Sequence, residues 1–221
     1  MSEAHRNQLC RARQWLFVLW LPGLALAATP RTIDRAVASI EGRVITASQL
    51  DFEARVLLIN SGGVAAAVAP LDRPALESSL RLMIDQRLAL LEADKLESYP
   101  LEPGELDRAI AAFRERLGEA QFVGFLQRHE ADLNELAEVL RRNLRAQRAL
   151  EGRLKLRAQV SDAEVRAWQA ENPAMKNVSV EQVRAVLTQK KFSALVTKEL
   201  TEQRRQNDVR LLGPYAPKAT R

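Results

Sequence analysis

The sequence predicts a mainly α-helical protein, a helical bundle with a small β-sheet formed by an N-terminal hairpin and a C-terminal strand. Three observations support this fold class. Leu, Ala, Arg and Glu dominate the 221 residues and only 5% are aromatic, a composition that favours helices. Long stretches repeat apolar residues at helical spacing. Strand-like alternation lies in one short segment near the N-terminus, and a candidate partner strand lies near the C-terminus.

The segment 36–46 is predicted to form a β-hairpin. Apolar and polar residues alternate along it, and Glu41-Gly42 can form the tight turn between two strands. A two-stranded hairpin alone is marginal in water, so it needs another strand or a helix to pack against. Residues 208–212 are the candidate third strand, and we therefore expect the two ends of the domain to meet in one sheet.

Capping boxes mark three helix starts. Thr46, Ser161 and Ser179 are each followed three positions later by Glu or Gln, the spacing at which side chain and backbone cap each other. A short element is predicted around 122–126. The predicted helices span residues 46–60, 74–96, 103–117, 132–157, 161–168 and 179–206.

Between the first two helices, the run of small residues from Gly62 to Ala69 is predicted to be a mobile loop. The second helix carries a sustained apolar face. This face consists of Leu76, Leu80, Ile84, Leu88 and Leu91.

Residues 1–27 have the pattern of a secretory signal peptide. Three arginines precede the apolar stretch Trp15–Leu26, and Ala25-Leu26-Ala27 supplies a small-x-small cleavage site before Ala28. The apolar stretch is well short of the ~20 residues that a membrane span needs. We therefore expect export, cleavage and no stable membrane anchor, leaving a domain at 28–212 and a flexible tail at 213–221.

Cleavage would remove the sole Cys and leave His129 as the only histidine. Thiol catalysis, disulfides and cysteine zinc sites are then excluded. No serine lies in a nucleophile elbow, and Gly62-Gly63 is not followed by the Lys-Ser/Thr of a phosphate loop. The sequence therefore assigns no catalytic, cofactor-binding or metal-binding residue, and His129 is interpreted as solvated or helix-capping.

Two sets of residues leave two interpretations open. The aromatic residues are either core anchors or the lining of a groove for apolar segments. Three arginines on one helical face are either solvent-exposed side chains beside the apolar stripe or a basic rim that attracts acidic polypeptides or anionic membranes. Nucleic acid is not an expected partner, because no binding motif accompanies the charge. The residues are Phe113, Phe122, Phe125, Trp168 and Phe192, and Arg141, Arg145 and Arg148.

The order of these elements resembles the SurA-type periplasmic chaperones. The resemblance covers most of residues 33–212, and its hairpin turn is Glu41-Gly42 where the family has Asn-Gly. The family typically inserts a parvulin-type prolyl isomerase domain after a short helix, whereas only a linker at 171–178 lies there. The stretches that carry the resemblance are Ile33–Asp51, Leu82–Ala93, residues 121–126, Val160–Trp168 and residues 179–212.

The resemblance implies an exported, ATP-independent chaperone that binds unfolded or nascent exported polypeptides in the periplasm. A protein dedicated to one exported partner is the alternative. Prolyl isomerase activity is not expected, because the isomerase domain is missing and His129 alone cannot supply its usual pair of histidines. Neither the pattern nor the resemblance assigns client-binding residues.

Overall fold

The computed structural model describes residues 34–217, except residue 96 and residues 173–177. The signal peptide predicted at 1–27 and most of the linker predicted at 171–178 lie outside these residues. The described chain forms a mainly helical fold with one small sheet, as predicted. Its elements are β1 (Ala36–Ile40), β2 (Arg43–Thr46), α1 (Ala47–Asn60), α2 (Arg73–Lys95), α3 (Glu105–Leu117), α4 (Glu119–Arg128), α5 (Leu133–Leu154), α6 (Asp162–Glu171), α7 (Val180–Gln206) and β3 (Val209–Leu211).

The sheet joins the two ends of the described chain. Its strand order is β2–β1–β3, and both pairings are antiparallel. Ile40 lies opposite Arg43 in one neighbour and opposite Val209 in the other. The prediction that the hairpin and the C-terminal strand share one sheet is confirmed.

The hairpin turn also contacts the returning strand. Glu41 and Gly42 have φ values of +49° and +76°, as a type I′ turn requires. The Glu41 carboxylate accepts a hydrogen bond from the Asp208 amide at 2.6 Å, and the Glu41 amide donates to the Asp208 carbonyl at 2.9 Å. Glutamate at this turn therefore ties the hairpin to the chain that leads into β3.

Helix starts follow the predicted caps. Complete capping boxes form at Thr46 and Ser161, and at Ser179 the hydroxyl accepts from the Gln182 amide. Asp132 forms a third complete box with Glu135, at a helix start for which no capping box was predicted. These contacts are local, so the sequence alone determines them.

Three predicted helix boundaries differ from the structure by two or three residues. The helix predicted to end at Trp168 continues to Glu171. Pro103 precedes α3, because Gly104 adopts a left-handed conformation that interrupts the helix. The helix predicted to reach 157 ends at Leu154, and the chain then turns so that Ala158 is buried.

The segment from Gly62 to Ala69, predicted to be a mobile loop, is instead held by hydrogen bonds from two arginines. Val64–Ala67 forms a single 3₁₀ turn, and Ala67 is 1% exposed. Arg55 donates from Nη1 to the carbonyls of Ala66 at 2.5 Å and Ala69 at 2.8 Å, and Arg128 donates to the Ala67 carbonyl at 2.7 Å. The arginines bind backbone carbonyls, a tertiary contact that composition does not reveal.

The core has three parts. A sheet core joins the strands to α1 and α2, and it includes the predicted face residues Leu80, Ile84 and Leu88. An aromatic core joins α1, α3, α4 and α5 around Phe113 and Phe125. Where α2 crosses α5, the contact is made mainly by small residues, which let the helices approach closely. These are Ala89, Ala93, Ala146 and Ala149 with Leu90.

The loop between α2 and α3 lies on α5. Arg148 donates to the Pro100 carbonyl at 2.5 Å, and the Tyr99 ring covers Gly152 so closely that no β-carbon would fit there without movement. After β3, where the sequence predicts a tail, Gly213–Tyr215 forms a 3₁₀ turn. Tyr215 packs against the sheet core.

We call α6 and residues 180–194 of α7 the helical hairpin. Val165 and Val183 are its fully buried residues, at 0% and 1% exposure. Three further apolar residues of α7, Leu187, Leu195 and Leu200, are only half-buried. Beyond the hairpin, α7 continues across α2 and α5, where Leu200 packs against the small-residue contact.

Candidate functional site

Three of the five candidate aromatic residues belong to the core. Phe113 and Phe125 are 0% exposed and Phe122 is 5% exposed. The ring centroids of Phe113 and Phe125 are 5.8 Å apart, and Phe52 stacks on Phe125 at 5.6 Å. The core interpretation is therefore confirmed for these three, and they cannot line a groove.

The helical hairpin holds an open groove beside Trp168. The groove has a volume of about 460 Å³, within the range typical of ligand sites. Its apolar residues are Val160, Ala167, Trp168, Leu187 and Ala194, and its charged residues are Glu164, Glu171, Lys190 and Lys191. Trp168 is half-buried there, whereas Phe192, also half-buried, is not among the lining residues.

Polar contacts hold the two helices of the hairpin together. Lys191 donates from Nζ to Glu164 at 3.1 Å and to the Gln159 carbonyl at 2.9 Å. Arg184 pairs with Asp162 nearer the start of both helices. The Ser161 amide, together with Lys191 and the Ser161 hydroxyl, lowers the pKa of Glu164 from 4.5 to about 2. Glu164 is therefore ionised at neutral pH and caps α6 while it contacts α7.

A second cavity, which we call the arginine cleft, lies beside α2, α5 and the β1–β2 hairpin. Its volume is about 310 Å³. Arg141 and Arg145, two of the three arginines in the predicted basic face, line it, while Arg148 instead binds Glu105 at 2.7 Å. The complete lining is Arg43, Arg87, Arg141, Arg142, Arg145, Asp94, Glu138, Ile40, Leu90 and Leu91.

Glu53 anchors the arginine cleft from α1. Its carboxylate is 6% exposed and accepts from Arg87 at 3.0 Å and Arg142 at 2.6 Å. Burial lowers the pKa of Arg87, an effect that Glu53 opposes and Arg142 reinforces. Nη1 of Arg87 is buried and finds no hydrogen-bond partner in the part of the chain that the structure describes.

Glu53, Arg87 and Arg142 were not predicted from the sequence as candidate site residues. A usable signal was present: Glu53 shares a helical face with Leu50 and Ala54, so a charge falls on the buried side of α1. A charge at such a position requires an opposite charge from another element. The sequence does not say which arginines supply it.

His129 is half-buried rather than solvated. It lies at the C-cap of α4, which agrees with the predicted helix-capping role. Its side chain is only 11% exposed, and the centroid of its ring lies 5.0 Å from that of Phe125. Nδ1 lies 3.4 Å from Asp51, whose carboxylate also binds Arg55. Burial lowers the pKa of His129, and Asp51 opposes that shift. The histidine thus belongs to the contacts that hold the 3₁₀ turn.

No helix among residues 34–95, 97–172 and 178–217 is both long and apolar enough to cross a membrane. Within the same residues, no group of three or more His, Cys, Asp or Glu side chains is arranged to hold a metal ion.

Comparisons with known proteins identify distant similarity to one kind of protein, the SurA chaperones. No family model matches the chain. The chain is 28% identical over 168 residues to the chaperone SurA of Pseudomonas fluorescens, which covers 72% of this chain and 37% of that protein. It is 27% identical over 166 residues to the chaperone SurA of Pseudomonas putida, with 71% and 37% coverage. The chain thus spans little more than a third of these curated relatives, and over that part it is a distant, SurA-like relative.

Proposed function

We propose that this protein is an ATP-independent, chaperone-like protein that binds unfolded polypeptides outside the cytoplasm, including outer-membrane proteins. The observation that carries the proposal is the open groove of the helical hairpin, where Trp168 and Leu187 remain partly accessible. The similarity to SurA chaperones supports it. We call such an unfolded polypeptide a client.

The groove suits weak binding of varied sequences. Apolar segments of a client would bury Trp168 and Leu187, gaining roughly 25 cal/mol per Å² of apolar surface. Two acidic and two basic residues rim the groove, so its charge does not select one class of client. Binding of this kind keeps exposed apolar segments and strand edges apart until a stronger partner takes them.

The test is suppression of aggregation. We expect the purified protein, mixed with an unfolded outer-membrane barrel protein diluted from denaturant, to reduce light scattering at low stoichiometry. Trp168→Ala should weaken the suppression several-fold, because Trp168 offers the largest apolar side chain in the groove. Absence of suppression at several-fold molar excess would contradict the proposal.

Two leucines provide a matched control. Leu187 lines the groove, whereas Leu82 is 51% exposed on α2 and lies outside it. Leu187→Ala should reduce suppression, and Leu82→Ala should leave it unchanged. Equal losses in both variants would mean that general surface hydrophobicity, rather than the groove, holds the client.

Two further measurements separate this proposal from its alternatives. A proline-peptide isomerisation assay should give the uncatalysed rate, since we propose a binding protein and not an enzyme. Purification from the periplasm should recover a broad set of unfolded proteins. Recovery of one stoichiometric partner would instead favour a dedicated assembly role.

A further inference from the structure

The arginine cleft carries more positive charge than its own residues neutralise. Five arginines line it, whereas Asp94 and Glu138 line it and Glu53 lies behind it. Arg141 pairs with Glu138, and Arg145 pairs with Asp94 at 2.7 Å. The surplus attracts an anionic group from outside the protein.

Two guanidinium groups have unused hydrogen-bonding capacity. Arg43 is exposed at the edge strand β2 and has no ion pair or side-chain hydrogen bond within the described ranges. Arg87 contributes the buried, unpartnered Nη1. Leaving a buried charged donor without an acceptor costs stability, so an oxygen-bearing ligand that reached it would relieve that cost.

The other walls of the cleft narrow the ligand class. Guanidinium groups bind carboxylate and phosphate with paired hydrogen bonds. Leu91 is half-buried and places apolar surface beside those groups, with the almost fully buried Ile40 and Leu90 behind it. Apolar surface at this point favours an anion attached directly to an apolar group. At about 310 Å³ the cavity is near the lower limit of ligand sites, so it accommodates one residue rather than an extended segment.

We propose that the arginine cleft binds the C-terminal carboxylate of a polypeptide whose last residue is apolar. A C-terminal residue carries its carboxylate and its side chain on the same α-carbon, so both fit one small cavity. An internal Asp or Glu would require the chain to pass through on both sides. The inference deepens the proposed function and rests on it, because it identifies the part of a client that this site would take.

The test compares two labelled peptides that differ only at the C-terminus. Each is a flexible decapeptide ending in Leu, one with a free carboxylate and one with an amide. Fluorescence anisotropy at low salt should show the free acid binding about tenfold more tightly, the difference that one charge-assisted contact supplies. Equal affinity for acid and amide would overturn the inference.

Variants locate the site. Arg43→Gln should weaken binding of the free acid about three- to tenfold, and a second change, Arg141→Gln, should weaken it further. Both residues are substantially exposed, so the protein should remain folded. Arg148→Gln is the matched control on the same helix, since Arg148 faces Glu105 outside the cleft, and it should leave affinity within about twofold. A loss in Arg148→Gln equal to that in Arg43→Gln would overturn the assignment.

Two competitors define the ligand. Inorganic phosphate and an amidated peptide with an internal Asp should each compete poorly with the free acid. Full competition by phosphate would mean that the cleft binds anions in general. Full competition by the amidated peptide would mean that it binds acidic side chains. If acid and amide bind alike while aggregation is still suppressed, only this inference fails. If the free acid binds while aggregation is not suppressed, the proposed function fails and the cleft stands.

Discussion

The aromatic core and the helical hairpin use similar residues in opposite ways. Phe125 is 0% exposed because helices from three directions surround it. Trp168 lies between two helices and remains half-buried. Both residues occur on helices with apolar periodicity, so the difference comes from the number of neighbouring elements. The comparison teaches that a helix pair leaves apolar surface accessible where a bundle does not.

The two regions also differ in what stabilises them. Apolar burial and arginine contacts to buried carbonyls hold the bundle. The hairpin buries only Val165 and Val183 completely. Its other contacts include exposed ion pairs such as Arg184–Asp162 and Lys191–Glu164, and pairs of this kind contribute little to stability. We therefore expect amide hydrogens of α6 to exchange faster than those of α2 and α5.

The largest expected effect tests this contrast directly. Phe125→Ala removes a fully buried ring and should lower the free energy of unfolding by about 3–5 kcal/mol. Trp168→Ala should lower it by less than about 1 kcal/mol, because the ring is already partly in water. Urea unfolding measures both values. Comparable losses would mean that the hairpin is part of the core.

Two glycines test close packing within the bundle. An ideal β-carbon at Gly152 would overlap Tyr99 Cε1, whereas at Gly124 nothing lies within 4 Å. Gly152→Ala should destabilise by about 1–2 kcal/mol through overpacking. Gly124→Ala should stabilise by about 0.5–1 kcal/mol through helix propensity. Thermal unfolding distinguishes these opposite signs, and two shifts of the same sign would refute the assigned Tyr99 contact.

Acidification should weaken the bundle through His129. Because burial lowers its pKa in the folded state, the unfolded state takes up the proton first, and stability falls as pH decreases below about 6.5. His129→Phe keeps an aromatic ring and should reduce this loss. The measurement is the difference in unfolding free energy between about pH 8 and about pH 5.5, a range above most carboxylate titrations. An unchanged difference in the variant would exclude His129 as the cause.

The smallest effect should be confined to the hairpin. Glu164→Gln removes the ionised cap and the Lys191 contact, so α6 amides should exchange faster while global stability barely changes. Since the pKa of Glu164 is lowered from 4.5 to about 2, its contribution is complete above 4.5 and disappears as pH falls through about 2. Glu171→Gln, on the same helix, is the matched control. Equally faster amide exchange in both variants would contradict the assigned role of Glu164 in capping α6 and binding Lys191.

Sequence alone predicted features that depend on neighbouring residues, together with one long-range strand pairing. The capping boxes at Thr46 and Ser161, the Glu41-Gly42 turn and the pairing of the terminal strands are all present. The cap contacts span three residues, so their chemistry can be recognised without knowing the fold. The strand pairing could be predicted because a two-stranded hairpin needs a further element to pack against, and residues 208–212 were the candidate strand.

Apart from the capping box at Asp132, the missed features depend on residues distant in sequence. Glu53 binds Arg87 and Arg142 across separations of 34 and 89 residues. The segment 62–69 is fixed by Arg55 and Arg128, not by its own composition. The aromatic residues could not be divided between core and groove until their neighbours were known. Burial and ion pairing arise from tertiary packing, which a periodic pattern does not specify.

The central position of β1 has a consequence for biosynthesis. One of its edges stays unpaired until β3 is made, since the contact between Glu41 and Asp208 joins residues 167 apart. A nascent chain therefore emerges with an open strand edge, and long-range closure of this kind slows folding. Removing only residues 209–211 would keep the sequence of every helix but would prevent β3 from pairing with β1. A protein proposed to shield the unpaired strand edges of other proteins thus has an unpaired strand edge of its own until its synthesis is nearly complete.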